Sequence, residues 1–179
     1  KTIALENDIK YEINWFTGQK TGFFIDQRDN RSLLESMSDN AKVLNTFCYS
    51  GGFSLAALKG GAKEVHSLDS SARALELVEA NLKLNNYENK THTCIKADAV
   101  EHIKTVGTDY DIIILDPPAF AKHKSARHKA IQAYKRLNAT AMQKIKPGGI
   151  LFTFSCSQVV DKYLFNSTIH AAAIESGRT

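Results

Sequence analysis

Apolar positions near the start of the chain alternate strictly: Ile9, Tyr11, Ile13 and Trp15 stand two residues apart, after Ala4-Leu5-Glu6 and across Asn7-Asp8. A period of two around an Asn-Asp pair predicts a β-hairpin with a tight turn. Gly18 and Gly22 then bracket a loop. Phe23-Phe24-Ile25 predicts a short strand, and a helix is expected from Asn30, as its cap, through Leu33 and Leu34.

From Val43 onward the period switches repeatedly between strand and helix. Val43-Leu44 leads into a helical run, Phe53 to Leu58, that Gly60-Gly61 closes. Val65 to Leu68 is a second strand ending at Asp69, and Ser70 or Ser71 can cap the next helix, whose apolar stripe is Leu75, Val78 and Leu82. Thr91 to Ile95 predicts a third strand and Ala99 to Lys104 a short helix. Asp111 to Leu115 is a continuous apolar run, the pattern of a strand covered on both faces. A long helix turns Ile131, Tyr134, Leu137, Ala141 and Ile145 inward, and Pro147-Gly148-Gly149 is expected to break it. Ile150 to Phe154 forms the fifth strand, and a last helix covers about residues 159–175. Such alternation gives an α/β fold, a doubly wound parallel sheet with helices on both faces. Ligands of such sheets bind beyond the carboxyl ends of the strands, so those ends are where chemistry is expected.

The first strand end carries Asn45-Thr46-Phe47-Cys48-Tyr49-Ser50-Gly51-Gly52. Two glycines allow close backbone approach, and the following helix N-terminus suits an anionic group; an ordinary strand-to-helix turn is the alternative. Asp69 can accept from both ribose hydroxyls or cap the helix that follows. Asp98-Ala99 offers a carboxylate and an N–H to an adenine edge, or is a solvated loop acid. Asp116-Pro117-Pro118-Ala119-Phe120 forms a rigid lip. Its prolines remove two donors and leave a carboxylate, carbonyls and a stacking ring for a planar base. Beyond the fifth strand stands Ser155-Cys156-Ser157, where a thiol is either a nucleophile or a structural cysteine. Cys48 and Cys94 read as inert.

Composition narrows these readings. With 179 residues and 43% hydrophobic content the chain can bury an ordinary core, and its net charge of +4 suits nucleic acid without demanding it. Three cysteines without metal spacing point to free thiols in a reducing compartment. No metal site is expected. No apolar run approaches the roughly 20 residues of a membrane span and no signal peptide is visible, so a cytoplasmic location is expected. The chain opens on Lys1 rather than Met and closes in helical pattern at Ile174 to Gly177, so a segment of a longer polypeptide is expected. Lys122, His123, Lys124, Arg127, His128 and Lys129 form a basic loop beside the lip, with Lys135 and Arg136 beyond; it is a phosphate contact surface or a solvated one.

Four of these motifs together resemble the bacterial large-subunit rRNA cytosine-C5 methyltransferases. They are Thr21 to Arg31, Asn45 to Phe53, Asp116 to Phe120 and Ser155 to Ser157; Tyr134 to Asn138 resembles theirs too. The resemblance implies a class I methyltransferase core with a Rossmann-like sheet, preceded by a β-hairpin and stopping before the final strand pair. It places residues 1–31 at the end of a linking domain and 32–179 in the core. It also implies S-adenosyl-L-methionine as cofactor, with Phe47, Ser50 and Gly51 at its methionine end, Asp69 and Ser70 at the ribose, Asp98 and Ala99 at the adenine, and Asp116 near the reacting end. RNA is the implied partner, met by Pro117, Phe120, Lys122, Lys124 and Arg127. Related guanine-N7 enzymes share the opening and the lip but not the cysteine, so Cys156 separates the two readings.

C5 of cytosine is a weak nucleophile. Addition of a thiolate at C6 turns the ring into an enamine whose C5 attacks a methyl group. The resemblance makes Cys156 that nucleophile, with Asp116 stabilising charge that builds in the ring. The target base must be single-stranded or flipped out. A guanine or amino-group methyltransferase of the same fold, and a non-catalytic binding module, are the competing readings.

Overall fold

The computed structural model describes residues 2–13 and 22–178; Trp15, Gly18 and Thr21 lie outside the described residues. The chain divides into two compact units, residues 1–97 and 98–179.

The first unit opens with the expected hairpin. Strands β1 (Thr2–Glu6) and β2 (Ile9–Ile13) pair antiparallel with Glu6 opposite Ile9. Asn7 and Asp8 both take positive φ, 48° and 61°, as the two central residues of a tight turn that follows strand twist must. Ile9, Tyr11 and Ile13 point inward and pack with Phe23, Leu55 and Ala56.

The strand expected at Phe23-Phe24-Ile25 does not form. Ile25–Gln27 is a 3-10 turn that runs directly into helix α1 (Arg28–Met37), two residues earlier than Asn30. Each phenylalanine is taken by its own aromatic partner rather than by a neighbouring strand: Phe23 by Tyr11 at 4.6 Å and Phe24, edge-on, by Tyr49 at 5.5 Å. Asn30 is no cap; its side-chain amide donates to Gln27 Oε1 at 2.6 Å. Arg31, buried, grips Glu6 of β1 through Nε and Nη2 at 2.7 and 2.8 Å and lies over the Phe23 ring. A buried charge needs such a bidentate partner.

Strands β3 (Lys42–Thr46), β4 (Glu64–Asp69) and β5 (His92–Lys96) pair in parallel in the order β5-β4-β3. Helix α2 (Gly52–Lys59) is buried from Gly52 through Leu58, which explains an apolar run without a polar face. At its end Gly60 passes so close to α1 that a Cβ would lie 2.0 Å from the Glu35 carbonyl oxygen, so the site accepts glycine alone. Helix α3 (Ala72–Leu84) buries Leu75, Val78 and Leu82 as its stripe predicts, and Ser71 is its cap, accepting from the Ala74 N–H at 3.3 Å.

The second unit begins with the short helix α4 (Ala99–His102), two residues shorter than expected. Strand β6 (Tyr110–Leu115) is buried from Ile112 through Leu115. Each of those side chains contributes about 1.5–3 kcal/mol of burial. Helix α5 (Arg127–Lys144) follows, then strand β7 (Ile145–Thr153), parallel to β6, and helix α6 (Lys162–Glu175). The boundaries around β7 and at the start of α6 also differ from expectation. The helix ends before Ile145, which already pairs with Tyr110, whereas Ile112 pairs with Ile150. The residues between them bulge from the ladder, because Pro147 lacks an N–H and Gly148 takes φ +77°. Helix α6 starts at Lys162 rather than about 159, since Asp161 supplies the cap, accepting from Leu164 N–H at 2.9 Å. Both units are α/β with parallel strands. Among the described residues no helix is long and apolar enough to cross a membrane.

Candidate functional site

In the first unit the site is the loop between β3 and α2. Phe47 and Tyr49 are left-handed, with φ of 54° and 47°, and Gly51 follows at 78°. Two non-glycine residues in that region carry strain that the surroundings must hold. They do so from several sides. Cys48 N–H donates to Leu68 O at 3.1 Å, Gly51 N–H to Cys48 O at 2.8 Å and Tyr49 N–H to Asp69 Oδ2 at 3.0 Å. Asn81 of α3 donates to Ser50 O at 2.9 Å, and its own oxygen accepts Glu12 N–H at 2.7 Å, linking loop to hairpin. Ser50 and Gly51 are buried and Phe47 is half-buried. Helix α2 leaves this loop without a side-chain cap.

Asp69 does not cap α3. Its Oδ1 accepts Ser71 N–H at 2.9 Å while Oδ2 holds Tyr49, so each oxygen keeps a second lone pair for another donor. Ser70 beside it is exposed. Beneath the loop a chain of buried polar groups runs from Asn45 Nδ2 to Ser54 Oγ at 2.8 Å, to Ser67 Oγ at 2.6 Å and to His92 Nε2 at 2.7 Å. Burial, and secondarily His66, pushes the His92 pKa down to about 4, so the ring is neutral at pH 7. The same burial pushes Cys48 far above the usual thiol range and Cys94 up to about 11. Both remain thiols and poor nucleophiles.

In the second unit Asp98 caps α4, accepting Glu101 N–H at 3.0 Å through Oδ1, and Ala99 is buried behind it. The lip after β6 and the segment after β7 are stitched together. Cys156, exposed, directs Sγ at the Pro117 carbonyl oxygen at 3.7 Å, and Ser157 Oγ donates to Ala121 O at 2.7 Å. Asp116 is half-buried, Pro117 buried, and Phe120 half-buried, its ring 4.6 Å from that of Tyr134. Lys122, His123, Lys124, Arg127, His128 and Lys129 are all exposed; Arg136 is too, whereas Lys135 pairs with Glu175 at 2.6 Å.

Sequence reasoning passes over Asn81. It stands beside Leu82 on α3, outside the Leu75, Val78 and Leu82 stripe that the spacing marks, and the one signal available is a hydrogen-bonding side chain next to that stripe.

The sequence and fold have clear relatives. A family model described as S-adenosylmethionine-dependent methyltransferase matches residues 2–175. A ribosomal RNA large subunit methyltransferase of Deinococcus radiodurans is 44% identical over 176 residues, 97% of this chain and 43% of that protein. Ribosomal RNA large subunit methyltransferase I of Vibrio vulnificus is 41% identical over 185 residues, 100% of this chain and 47% of that protein. The crystal structure of SMU.776, a candidate methyltransferase complexed with SAH, matches with TM-score 0.84 at 28% identity, over 96% of this chain and 46% of that one. The chain spans less than half the length of these relatives. The last likeness shows the α/β fold to be that of class I methyltransferases.

Proposed function

Because the chain belongs to the S-adenosylmethionine-dependent methyltransferase family, we propose that it carries the catalytic core of a large-subunit rRNA methyltransferase that modifies C5 of a cytosine in 23S rRNA through a covalent Cys156 adduct. The observation that carries the covalent route is the exposed Cys156 thiol turned to the Pro117 carbonyl of the Asp-Pro-Pro lip. A thiol buried in the core could reach no base.

The first unit suits the cofactor. A loop held in left-handed backbone, an uncapped helix N-terminus and a carboxylate with lone pairs to spare fit a group with a carboxylate at one end and a ribose at the other. Phe47, Ser50 and Gly51 would take the methionine end, Asp69 and Ser70 the ribose, and Asp98 with Ala99 the adenine; Asp116 would border the reacting end. Bound there, the cofactor supplies an electrophilic methyl group.

The chain's own residues do the rest. Once a base has taken its proton, Cys156 adds as the thiolate to C6 of the cytosine, and the π electron pair of the C5–C6 bond makes C5 nucleophilic. Asp116 accepts a hydrogen bond from the ring's exocyclic amine and stabilises the charge that addition creates. Phe120 offers a stacking face and Pro117 fixes the lip. After methyl transfer a base must take the C5 proton as the Cys156–C6 bond breaks, restoring the aromatic ring and the thiolate. Lys122, Lys124 and Arg127 would meet phosphates. Arg127, His128 and Lys129 stand in the first turn of α5, where the helix dipole disfavours positive charge, and an RNA phosphate would relieve that conflict.

The test is the full-length protein with large-subunit rRNA, the methylated atom being mapped by mass spectrometry. The expected product is 5-methylcytidine, with Cys156→Ser inactive and its cofactor affinity unchanged. A methylated guanine or base amino group, or an active Cys156→Ser protein, would overturn the covalent reading. Failure of the intact protein to bind S-adenosylmethionine would overturn the whole assignment.

A further inference from the structure

Charge is unevenly spread along the chain. Of its 23 lysines and arginines, eight stand between Asp116 and Asp161, a stretch without a single aspartate or glutamate. The other fifteen share the rest of the sequence with all 19 acidic residues. The net charge of +4 thus conceals a strongly basic segment in an otherwise acidic chain. Two of the eight are matched from outside the segment: Lys135 pairs with Glu175 at 2.6 Å and Lys146 with Asp111. Lys122, Lys124, Arg127, Lys129 and Arg136 are exposed.

Helix α5 presents part of that charge in order. Lys129, Gln132, Arg136 and Gln143 are all exposed and follow at spacings of three, four and seven residues. They form one ridge about 20 Å long, turned away from the face that buries Tyr134, Leu137 and Ala141. Every side chain on it can donate a hydrogen bond and none is a carboxylate. An ordinary solvated face mixes signs at such spacing, as α3 does with exposed Arg73, Glu76, Glu79 and Lys83. On α5 the like charges go unrelieved, and Lys129 also stands in the first turn, against the helix dipole. An anion laid along the ridge relieves both conflicts. The ridge begins where the basic loop beside the lip ends, and the lip rests on the inner side of the same helix through Phe120 and Tyr134.

We propose that the Lys129–Gln132–Arg136 ridge of α5 is a track for the RNA phosphodiester backbone, carrying the strand onward from the loop beside the lip. Lys129 and Arg136 each neutralise a phosphate, and Gln132 donates to a phosphate or ribose oxygen. Such contacts fix the register of the strand and read no base. This inference rests on the RNA reading above and not on which atom of the base is methylated.

The experiment measures binding of the full-length protein to a large-subunit rRNA fragment, and to an unrelated RNA of equal length, over a series of KCl concentrations. Wild type is compared with Lys129→Gln, Arg136→Gln and Lys83→Gln, the last removing the same charge from the mixed face of α3. In each ridge variant the slope of log affinity against log salt should shrink by about 0.7, on both RNAs. Lys129→Gln should melt no lower than wild type, because it also removes a charge that the helix dipole disfavours. A wild-type slope in either ridge variant overturns the proposal. So does an equal change in Lys83→Gln, which marks net charge alone, or weakening confined to the rRNA fragment, which marks base readout. Weaker binding together with a lower melting temperature overturns it too, as a folding defect. Failure of the wild-type protein to bind either RNA overturns the RNA reading instead, so the two failures are distinguishable.

Discussion

The Asn81 side-chain amide, on a residue with no exposed surface, donates to the Ser50 carbonyl at 2.9 Å, and its oxygen accepts the Glu12 N–H at 2.7 Å. One side chain on α3 thus fastens the glycine loop to the opening hairpin. Asn81→Ala leaves a buried carbonyl and a largely buried N–H unmatched. The expected loss is about 2–4 kcal/mol of stability in urea unfolding, with weaker cofactor binding by calorimetry. Unchanged stability would mean the loop is held by its other contacts alone.

Gly51→Ala tests the loop itself. The position has φ +78°, and an added Cβ would sit 3.1 Å from Leu55 and from Val78. A left-handed alanine costs about 1–2 kcal/mol before any crowding. The variant should unfold earlier and bind S-adenosylmethionine at least several-fold more weakly. Wild-type cofactor affinity would remove Gly51 from the binding site.

The neutral His92 gives stability a pH dependence. Burial lowers its pKa from 6.5 to about 4, so between those values the unfolded chain binds a proton that the folded chain refuses. Its contribution is intact above about pH 6.5 and is lost as pH falls toward 4. The loss amounts to something on the order of 2 kcal/mol once partial exposure is discounted. Urea unfolding at pH 7 and pH 5 should show a smaller difference for His92→Gln than for wild type. An equal difference would place the effect elsewhere.

Asp8→Gly should stabilise the protein. Asp8 has φ +61° in the hairpin turn, and its ion pair with Lys59, at 3.8 Å and with Asp8 91% exposed, is worth little. Glycine removes the left-handed penalty at a turn position that favours it. A gain of roughly 0.5 kcal/mol is expected in thermal or urea unfolding; a loss would show the Lys59 pairing to be the stronger term.

Periodicity located almost every element, because burial on a sheet or helix face writes directly into residue spacing. It failed where the partner is not on the same element. Phe23 and Phe24 look like a strand, yet each packs against a ring that arrives from elsewhere in the chain. Pro147-Gly148-Gly149 looks like a break, yet the ladder resumes around it by bulging. Among candidate site residues, Asp69 and Ser71 were both legible as carboxylate and hydroxyl at a strand-to-helix junction, but which one caps depends on side-chain geometry that spacing does not encode.

The three cysteines differ in what a reagent would find. Cys48 is sealed and Cys94 half-covered, both held as thiols well above neutral pH, while Cys156 stands open beside the lip. A maleimide dye at stoichiometric dose should therefore attach at a single place without any engineered substitution. Its fluorescence would then report occupancy of the neighbouring surface, and protection of that sulfur by RNA fragments would chart which sequences come to rest there.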